Sequence, residues 1–432
     1  MASGNEWPST PQADRRATLG MLAAGGALTA LPRPVLAAMG DPGSDAAAAV
    51  ILTFLLEGNL LPFWRRVADS PRVEGYQLNI DNSGRWLEPT NRPIIPQART
   101  TWFFSHLARS RWGRPADLAT AKRGFDFLTQ RMWDHEHDGF VWEVAKETYL
   151  PTKPDKYLNA QAHALLALSE YAIASGSTDA LEWARRAAST IEERLRNPGD
   201  TGDYVDFLRS DWSQPPPDVP GYAGLLPSVR AYNARFRLLD ALTAYYVLER
   251  HSVGDVQLTR AIDLSERALA TTPAFYFRST EPPPSTPRVS YATDLQTIHQ
   301  LRRARAELDR PEPESYRAVL DSVLRRGEDR RSGGIYEEGA PGQPADRLSK
   351  LAWMQSEALL GTCDSWVRTG TVEHRAAFWR TLLWIVRRQA DWANGEWHYA
   401  LVEGVPSGSK EAPFHTVRAV LYALELLQGR PH

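Results

Sequence analysis

The residues best able to do chemistry lie in short stretches with helical spacing. In the first stretch, which begins at Asn233, Arg237 and Asp240 stand three positions apart and therefore share one helix face. A guanidinium keeps its proton at ordinary pH, so Arg237 cannot act as a simple base. We expect it either to bind an anionic or hydroxyl-rich group or to form an ion pair with Asp240.

A second stretch holds Trp353, Gln355 and Glu357 at alternate positions. Residues two apart on a helix point in different directions, whereas residues four apart share a face. Trp353 and Glu357 are therefore expected to lie together. Glu357 could contact a ligand or anchor neighbouring loops.

A third stretch, Trp133 to Asp138, reads Trp-Asp-His-Glu-His-Asp and contains ligand types that suit a metal ion. These residues lie in a predicted turn, too close in sequence to converge easily on one ion. A solvated charged turn is therefore favoured, and no metal is expected. The single cysteine, Cys363, excludes an intrachain disulfide, and its helical context predicts a buried small side chain.

The composition is that of a folded globular chain. Of its 432 residues, 43% are hydrophobic and 24% are charged, with a net charge of −2. This balance gives no electrostatic footprint for nucleic acid. The 15 Trp, 15 Tyr and 13 Phe fit a carbohydrate pocket, because apolar sugar faces stack on rings, and they fit equally a large aromatic core.

The elements that must position these residues are helices. Helical periodicity predicts about twelve of them. They are expected at 46–67, 97–111, 116–132, 157–174, 178–196, 230–250, 255–272, 292–309, 313–326, 346–369, 373–390 and 413–428. Short links alternate with long links rich in Pro, Gly, aromatic residues and Asp.

Six helical hairpins with this alternation predict an all-α fold, an (α/α)6 toroid with the long loops gathered at one end. A pocket is expected at that end, because binding residues favour loops held by a rigid scaffold. A linear helical solenoid is the alternative. A clear repeat consensus is absent from the chain, and its long links are too irregular for the common helical repeats.

The beginning of the chain indicates export. Arg15 and Arg16 precede an apolar stretch from Thr18 to Leu31, and a small-residue cleavage pattern follows near Ala37. This pattern is typical of a signal peptide, and the paired arginines favour the twin-arginine type. The apolar stretch is too short to remain as a membrane anchor.

We therefore expect residues 1–38 to be a signal peptide and residues 39–432 to be a single domain. The mature protein would be periplasmic or extracellular, without a stable membrane anchor. A disordered tail with a chance arginine pair is the alternative.

Short motifs follow one another in order along roughly 370 residues of the chain. They are Leu61-Pro62-Phe63-Trp64, Gln97-Ala98-Arg99 with Trp102-Phe103-Phe104-Ser105, Lys156 through Tyr171, Gly333-Gly334-Ile335-Tyr336, Trp353 through Ala358, and Pro413-Phe414-His415 with Arg418-Ala419. Their order and spacing resemble the N-acylglucosamine 2-epimerase superfamily, which includes cellobiose 2-epimerases, mannose isomerases and sulfoquinovose isomerases. The resemblance implies a sugar pocket in the toroid.

The chemistry of that family moves a proton beside a sugar carbonyl. A histidine removes the C2 proton to give an enediol, and an arginine steadies the developing oxyanion. By resemblance, the catalytic residues would be His415 and Arg99, with no cofactor. Arg99 could instead form a helix-to-loop salt bridge, and His415 could be a satisfied residue at a helix start. The implied substrate-binding residues are Arg237, Trp102, Asn233, Asp240, Trp353 and Glu357.

The chain departs from the family pattern at chemically important positions. Arg237 stands where the family has a second acid/base histidine, and Asp240 stands where it has glutamate. Thr293 and Gln296 replace another histidine and another glutamate of the cellobiose-type members. His415 and Arg99 are kept.

Three functions remain open. The favoured one is a carbohydrate isomerase or epimerase acting on an open-chain aldose, with 1,2-isomerisation preferred because a single base can carry it out. The second is a sugar-binding protein without turnover. The third is a glycoside hydrolase or lyase on the same toroid, for which Asp240, Asp294 and Glu357 are candidate carboxylates.

Overall fold

The computed structural model describes most of the chain after its first 31 residues. The described ranges are 32–69, 73–197, 202–228, 231–250, 252–271, 288–402 and 405–429. The predicted signal peptide lies almost wholly outside the described residues, so export and the domain boundary stay predictions. The described part opens with a short helix that buries Val35 against the core.

Helices form most of the described chain, as the periodicity predicts. In order they are α1 Arg33–Met39, α2 Asp45–Leu55, α3 Leu61–Ala68, α4 Ile94–Arg109, α5 Pro115–Phe127, α6 Leu158–Ser175, α7 Thr178–Thr190, α8 Tyr232–Leu248, α9 Ser252–Thr271, α10 Tyr291–Glu307, α11 Glu314–Arg326, α12 Ala352–Thr369, α13 Val372–Trp384 and α14 His415–Leu427. Helices α2, α5, α7 and α13 continue into π-helical turns at Leu56–Leu60, Leu128–Met132, Ile191–Leu195 and Ile385–Gln389.

The continuous helical segment Asp45–Ala68 is long and apolar enough to cross a membrane, judged by length and composition alone. Inside the protein, 56% of its most apolar window is buried. Ile51, Leu52 and Leu55 are fully buried, and the segment packs on α14. A core helix meets the same length and composition criteria, and the packing assigns this segment to the core.

The helices form two layers. The inner helices α4, α6, α8, α10, α12 and α14 pack each against the next, and α5, α7, α9, α11 and α13 cover them from outside. Side chains from α14 and α4 complete the ring: His106 Nε2 lies 3.2 Å from Glu425 Oε1, and Trp102 meets Tyr422 edge to face. The predicted toroid is therefore the observed fold.

Small antiparallel sheets occupy the long links. Their strands are β1 Arg92–Pro93, β2 Glu143–Val144, β3 Pro151–Lys153, β4 Lys156–Tyr157, β5 Phe207–Leu208, β6 Val289–Ser290, β7 Glu338–Gly339, β8 Ala345–Arg347, β9 Lys350–Leu351, β10 Ala400–Val402 and β11 Val405–Ser407. They pair as β1-β2-β3, β4-β5, β6-β7-β8 and β9-β10-β11. The pairing joins the strand before an inner helix to the next long link and gathers the links at one end.

One predicted helix begins too early. The expected 346–369 helix starts at Ala352, because residues 345–347 and 350–351 are strands. Leu351 pairs with Ala400 across β9 and β10, and this pairing holds the chain extended until the helix begins. Elsewhere the expected helices are present, with their ends shifted by a few residues.

A repeated bracket fixes three of the long links to the inner helices α4, α6 and α12. A buried glutamine in the first turns accepts from one backbone N–H of the preceding link and donates to the C=O of the same residue. The pairs are Gln97 with Tyr76, Gln161 with Phe140, and Gln355 with Ile335, at 2.7–2.9 Å.

A buried lysine strengthens the bracket by contacting both an aspartate and a glycine carbonyl in the same link. The sets are Lys156 with Asp134 and Gly139, Lys350 with Asp329 and Gly333, and Lys410 with Asp391 and Gly395. Asp134 therefore belongs to this structural bracket. Among the described residues, no cluster of three or more His, Cys, Asp or Glu could hold a metal ion.

Gln355→Leu is expected to destabilise the protein by about 2–4 kcal/mol, because it leaves the buried N–H and C=O of Ile335 without partners. Urea unfolding followed by circular dichroism measures the change. The exposed Gln130 offers a matched control, and Gln130→Leu should alter stability by no more than about 0.5 kcal/mol. Equal changes in the free energy of unfolding for the two substitutions would show that the bracket does not stabilise the fold.

Candidate active site

Phe414 and His415 lie where α14 begins, at the end of the toroid that carries the long links. Phe414 has φ −145° and ψ −72°, and the helix starts at His415. His415 Nδ1 lies 2.6 Å from Glu357 Oε1. Because an ionised carboxylate only accepts, Nδ1 carries the proton and donates, which leaves Nε2 as an acceptor.

The repeat explains why a histidine stands there. His415 follows Lys410 by five residues, as Gln161 and Gln355 follow their bracket lysines by five. In the last unit the bracketing glutamine is therefore replaced by an imidazole. That imidazole bonds to Glu357 on the neighbouring inner helix α12.

The His415–Glu357 pair is a neutral ring beside a carboxylate. Burial lowers the pKa of His415 to about 3; Arg99 and Arg418 act in the same direction, and the hydrogen bond to Glu357 opposes them. Burial alone would raise the pKa of Glu357, but Arg418 and His415 hold it at about 2. At neutral pH the free Nε2 can therefore accept a proton.

We expect His415 to stay neutral from about pH 5 to pH 8, since its folded pKa lies below the usual 6.5. The unfolded chain takes up the proton first, so the stability that neutral His415 contributes is complete above about pH 6.5 and declines as the pH falls. Imidazole ¹⁵N NMR, assigned with His415→Asn, measures the titration. A midpoint near pH 6.5 would contradict this arrangement.

Arg418 joins the two carboxylates that sequence reasoning had placed in the site. Its terminal nitrogens donate to Glu357 at 2.6 Å and to Asp240 at 3.0 Å. Asp240 also accepts from Arg237 at 2.7 Å, so the expected i, i+3 ion pair is present. Arg418 was not predicted as a site residue, although it lies three positions after His415 on the same face of α14.

Arg99 is held by a histidine. Its Nε donates to His163 Nε2 at 3.3 Å, and His163 Nδ1 donates to the carbonyl of Asn159 at 2.8 Å. Burial, together with Arg237 and Arg99, keeps the pKa of His163 well below its usual range. No carboxylate in the described ranges lies within 4.0 Å of Arg99, so the alternative helix-to-loop salt bridge is not formed there.

The structure also places Trp353 beside His415, and it places Asn233 on an inner helix. The ring of Trp353 lies 5.9 Å from that of His415, on the same face of α12 as Glu357, whereas Gln355 points to the bracket. Asn233 is half-buried in the first turn of α8, four residues before Arg237. Trp353 can therefore contact a ligand beside His415, and the role of Asn233 stays a prediction.

Trp102 lies elsewhere. Its ring is 1% exposed, packs edge to face on Phe414 at 5.1 Å and stacks on His106 at 5.4 Å. It supports Phe414 from the core side, so the structure does not offer it to a substrate. The inner helix that carries Trp102 is buried over most of its length, and an aromatic residue there fills the core.

A narrow cleft lies beside His415. It is lined by Ala352, Trp353, Glu396, Trp397, Tyr399, Glu411, Ala412, His415 and Thr416. Its free volume is ≈ 10 Å³, about the space of one water molecule. A sugar can enter only if rim side chains such as Trp353 and the exposed Glu411 move.

Glu396 is a site residue that sequence reasoning missed. It is 3% exposed, has a left-handed backbone (φ 61°), and accepts from Trp64 Nε1, from Thr416 Oγ1 and from the N–H of Trp397. Burial raises the pKa of Glu396 to about 7, although these hydrogen bonds oppose the rise. A lone glutamate in a long link has no periodicity that would reveal it.

Thr293 and Gln296, which depart from the family pattern, lie on α10 in this region. Gln296 Nε2 donates to Glu357 Oε1 at 3.1 Å, and Thr293 is buried one turn earlier. Glu357 therefore accepts from Gln296, His415 and Arg418. All three contacts go to Oε1, and they orient Glu357 so that it holds His415.

Comparisons with known proteins agree with this architecture. Residues 75–269 match the family described as N-acylglucosamine 2-epimerase. A cellobiose 2-epimerase from Eubacterium cellulosolvens is 26% identical over 410 residues, which cover 86% of this chain and 96% of the relative. Both comparisons support the predicted resemblance to the N-acylglucosamine 2-epimerase superfamily.

Solved structures similar to this chain share its fold. A cellobiose 2-epimerase from Spirochaeta thermophila superposes with a TM-score of 0.78 at 24% identity, over 88% of this chain and 96% of that one. A D-mannose isomerase superposes with a TM-score of 0.74 at 15% identity, over 92% and 99%. The (α/α)6 toroid is thus a shared scaffold.

Proposed function

We propose that the protein is a carbohydrate isomerase that acts on an open-chain aldose through an enediol. The observation that carries the proposal is the His415–Glu357 pair, which presents a neutral imidazole with a free Nε2 at the cleft. Similarity to cellobiose 2-epimerases supports sugar chemistry. Arg99, whose guanidinium packs on the ring of the neighbouring Phe414, adds a cation for the oxygen.

In the proposed reaction, His415 Nε2 takes the proton from C2, and the C–H electrons form the C1=C2 bond. The carbonyl electrons move to O1, where Arg99 stabilises the negative charge. The O2–H proton then passes to O1. When the C2=O bond forms, the imidazolium returns its proton to C1 on the same face, which gives the ketose and restores the neutral ring.

Isomerisation is favoured over 2-epimerisation because the second base is missing. Epimerisation needs a proton donor on the opposite face of C2, and Arg237 stands where the family has its histidine. Burial lowers the pKa of Arg237 only to about 9, so it remains charged at neutral pH. A hydrolase is disfavoured at this pair, because Asp240 and Glu357 both accept from the Arg418 guanidinium, and Glu357, whose pKa is held at about 2, offers no proton.

A sugar-binding protein without turnover is the second candidate, and Arg237 in place of histidine is the observation that favours it. Incubation with a panel of aldoses and sugar acids in heavy water separates the two. An isomerase incorporates solvent deuterium at C1 of the ketose and at C2 of recovered aldose, and His415→Asn abolishes both signals. Saturable binding with no deuterium in any sugar would replace the first candidate by the second.

We also propose that the protein is exported, on the basis of Arg15-Arg16 and the apolar stretch that follows. An exported enzyme meets free or wall-derived sugars. Expression with Arg15→Lys and Arg16→Lys together should retain the protein in the cytoplasmic fraction, whereas the unaltered chain should appear outside with a shortened N-terminus. Equal fractionation of the two would contradict export by this route.

A further inference from the structure

One glycine position recurs in the links that carry the bracket. Gly75, Gly139 and Gly334 each stand immediately before the residue whose N–H donates to the bracket glutamine. Each has a left-handed backbone, with φ of 68°, 78° and 80°. Such a backbone suits glycine, because other residues rarely adopt it. The repeat thus pairs a left-handed glycine in the link with a glutamine on the inner helix.

Glu396 occupies that glycine position in the last link. The N–H of Asp391 donates to the carbonyl of Glu396 at 2.9 Å. In the link of Gly334, the N–H of Asp329 donates to the glycine carbonyl in the same way, at 3.0 Å. Glu396 keeps the left-handed backbone, with φ 61°. The last unit therefore departs from the repeat twice, with His415 in place of the glutamine and Glu396 in place of the glycine.

The two departures depend on each other sterically. A Cβ atom at Gly334 would overlap Gln355 Oε1, and the first bracket is closed to a side chain in the same way. A bracket glutamine therefore excludes a side chain at the glycine position. Glu396 fits the last link because His415 turns to Glu357 instead of closing a bracket.

Glu396 also takes over the task of the missing glutamine. Its Oε1 accepts from the N–H of Trp397 at 2.9 Å, which stands in the place of the bracketed N–H of the other links. Its Oε2 accepts from Thr416 Oγ1 at 3.1 Å and from Trp64 Nε1. Thr416 follows His415 at the start of α14, so this side chain ties the last link to that inner helix. The tether runs from the link to the helix, whereas the bracket glutamine reaches from the helix to the link.

We propose that Glu396 and His415 form a coupled replacement, in which Glu396 anchors the last link in place of the bracket glutamine and thereby leaves position 415 to a histidine. Glu396 is then a positioning residue for the base, and this consequence rests on the proposed function. Donors from α3, the last link and α14 converge on a carboxyl group that is 3% exposed. Buried hydrogen bonds of this kind hold their partners firmly, because water does not compete for them.

Restoring glycine at position 396 tests the coupled replacement. Glu396→Gly alone removes the acceptor of three donors and should lower the thermal unfolding midpoint by about 5 °C or more. Adding His415→Gln should recover at least about half of that loss, because the longer amide can then close a bracket on Trp397. Adding His415→Asn instead should recover none of it, since asparagine is one methylene shorter.

Amide hydrogen exchange at Trp397 measures the anchor directly. Its N–H should exchange about tenfold or more faster in Glu396→Gly than in the unaltered chain, and slowly again once His415→Gln is added. Asp138→Gly is the control, because Asp138 also has a left-handed backbone, with φ 65°, but its side chain is 45% exposed. This substitution should shift the unfolding midpoint by less than about 2 °C and leave the Trp397 N–H unchanged.

Activity separates positioning from stability. Glu396→Gly should lower kcat for the proposed isomerisation about tenfold and change KM less than about threefold, because the start of α14 that carries His415 is no longer held. Both double variants lack the histidine and should be inactive, whatever their stability. An unchanged kcat in folded Glu396→Gly would overturn the positioning role.

The coupled replacement is overturned if His415→Gln and His415→Asn recover equally or not at all, or if Trp397 stays protected in Glu396→Gly. If Glu396→Gly does not fold alone, a folded double variant with glutamine beside an unfolded one with asparagine supports it, and any other pairing overturns it. The unfolding and hydrogen-exchange measurements need no substrate. A protein without sugar turnover would therefore remove the proposed function and leave the coupled replacement intact.

Discussion

Replacing His415 by asparagine is expected to lower kcat/KM for the aldose–ketose reaction about 1,000-fold, the range that a positioned general base supplies. The asparagine side-chain amide can still donate a hydrogen bond to Glu357, in place of the one that His415 Nδ1 makes at 2.6 Å. The group that is lost is the Nε2 acceptor. Initial rates of ketose formation measure the effect, and His135→Asn, at an exposed turn residue, is the control.

The loss should fall on kcat while sugar affinity stays within about threefold. The thermal unfolding midpoint of His415→Asn should lie near that of the unaltered chain. A variant that keeps more than about a tenth of the rate would exclude His415 as the base. The search for the base would then pass to Glu396, another titratable group that lines the cleft.

Arg418→Met is expected to have the largest effect on stability, a loss of about 3–5 kcal/mol. The substitution leaves Asp240 and Glu357 buried without the guanidinium that both contact. Breaking a buried pair in this way is costly because an uncompensated charge remains. Urea unfolding at pH 7 measures the change.

A matched control exists on the surface. Arg185 pairs with Glu249, but its side chain is 50% exposed, so Arg185→Met should cost no more than about 1 kcal/mol. Adding Glu357→Gln to Arg418→Met should recover part of the loss, because one orphaned charge is removed. Equal destabilisation by Arg418→Met and Arg185→Met would show that the buried network contributes no more stability than a surface ion pair.

The helices and their arrangement could be predicted from the sequence because the signals are local. The 3.6-residue periodicity and the alternation of link lengths gave the hairpins and the toroid. The start of α12 could not be predicted, since the extended pairing of Leu351 with Ala400 joins residues far apart in sequence. No local sequence pattern predicts the π-helical turns that follow α2, α5, α7 and α13.

The site was predictable only in part, for the same reason. Spacing along one helix placed Arg237 with Asp240, and Trp353 with Glu357. The bridge that Arg418 makes between helices, and the contact of Arg99 with His163, depend on packing across the axis. The burial of Trp102 could not be predicted, because a motif gives the residue type and not the face that is buried.

The fate of a label at C2 tests the central claim most directly. An aldose carrying deuterium at C2 is converted in ordinary water, and the ketose is examined for deuterium at C1. A single base at His415 predicts that part of the label moves from C2 to C1 and the rest is lost to solvent. Complete transfer without exchange, or a 2-epimer formed as readily as the ketose, would contradict the account.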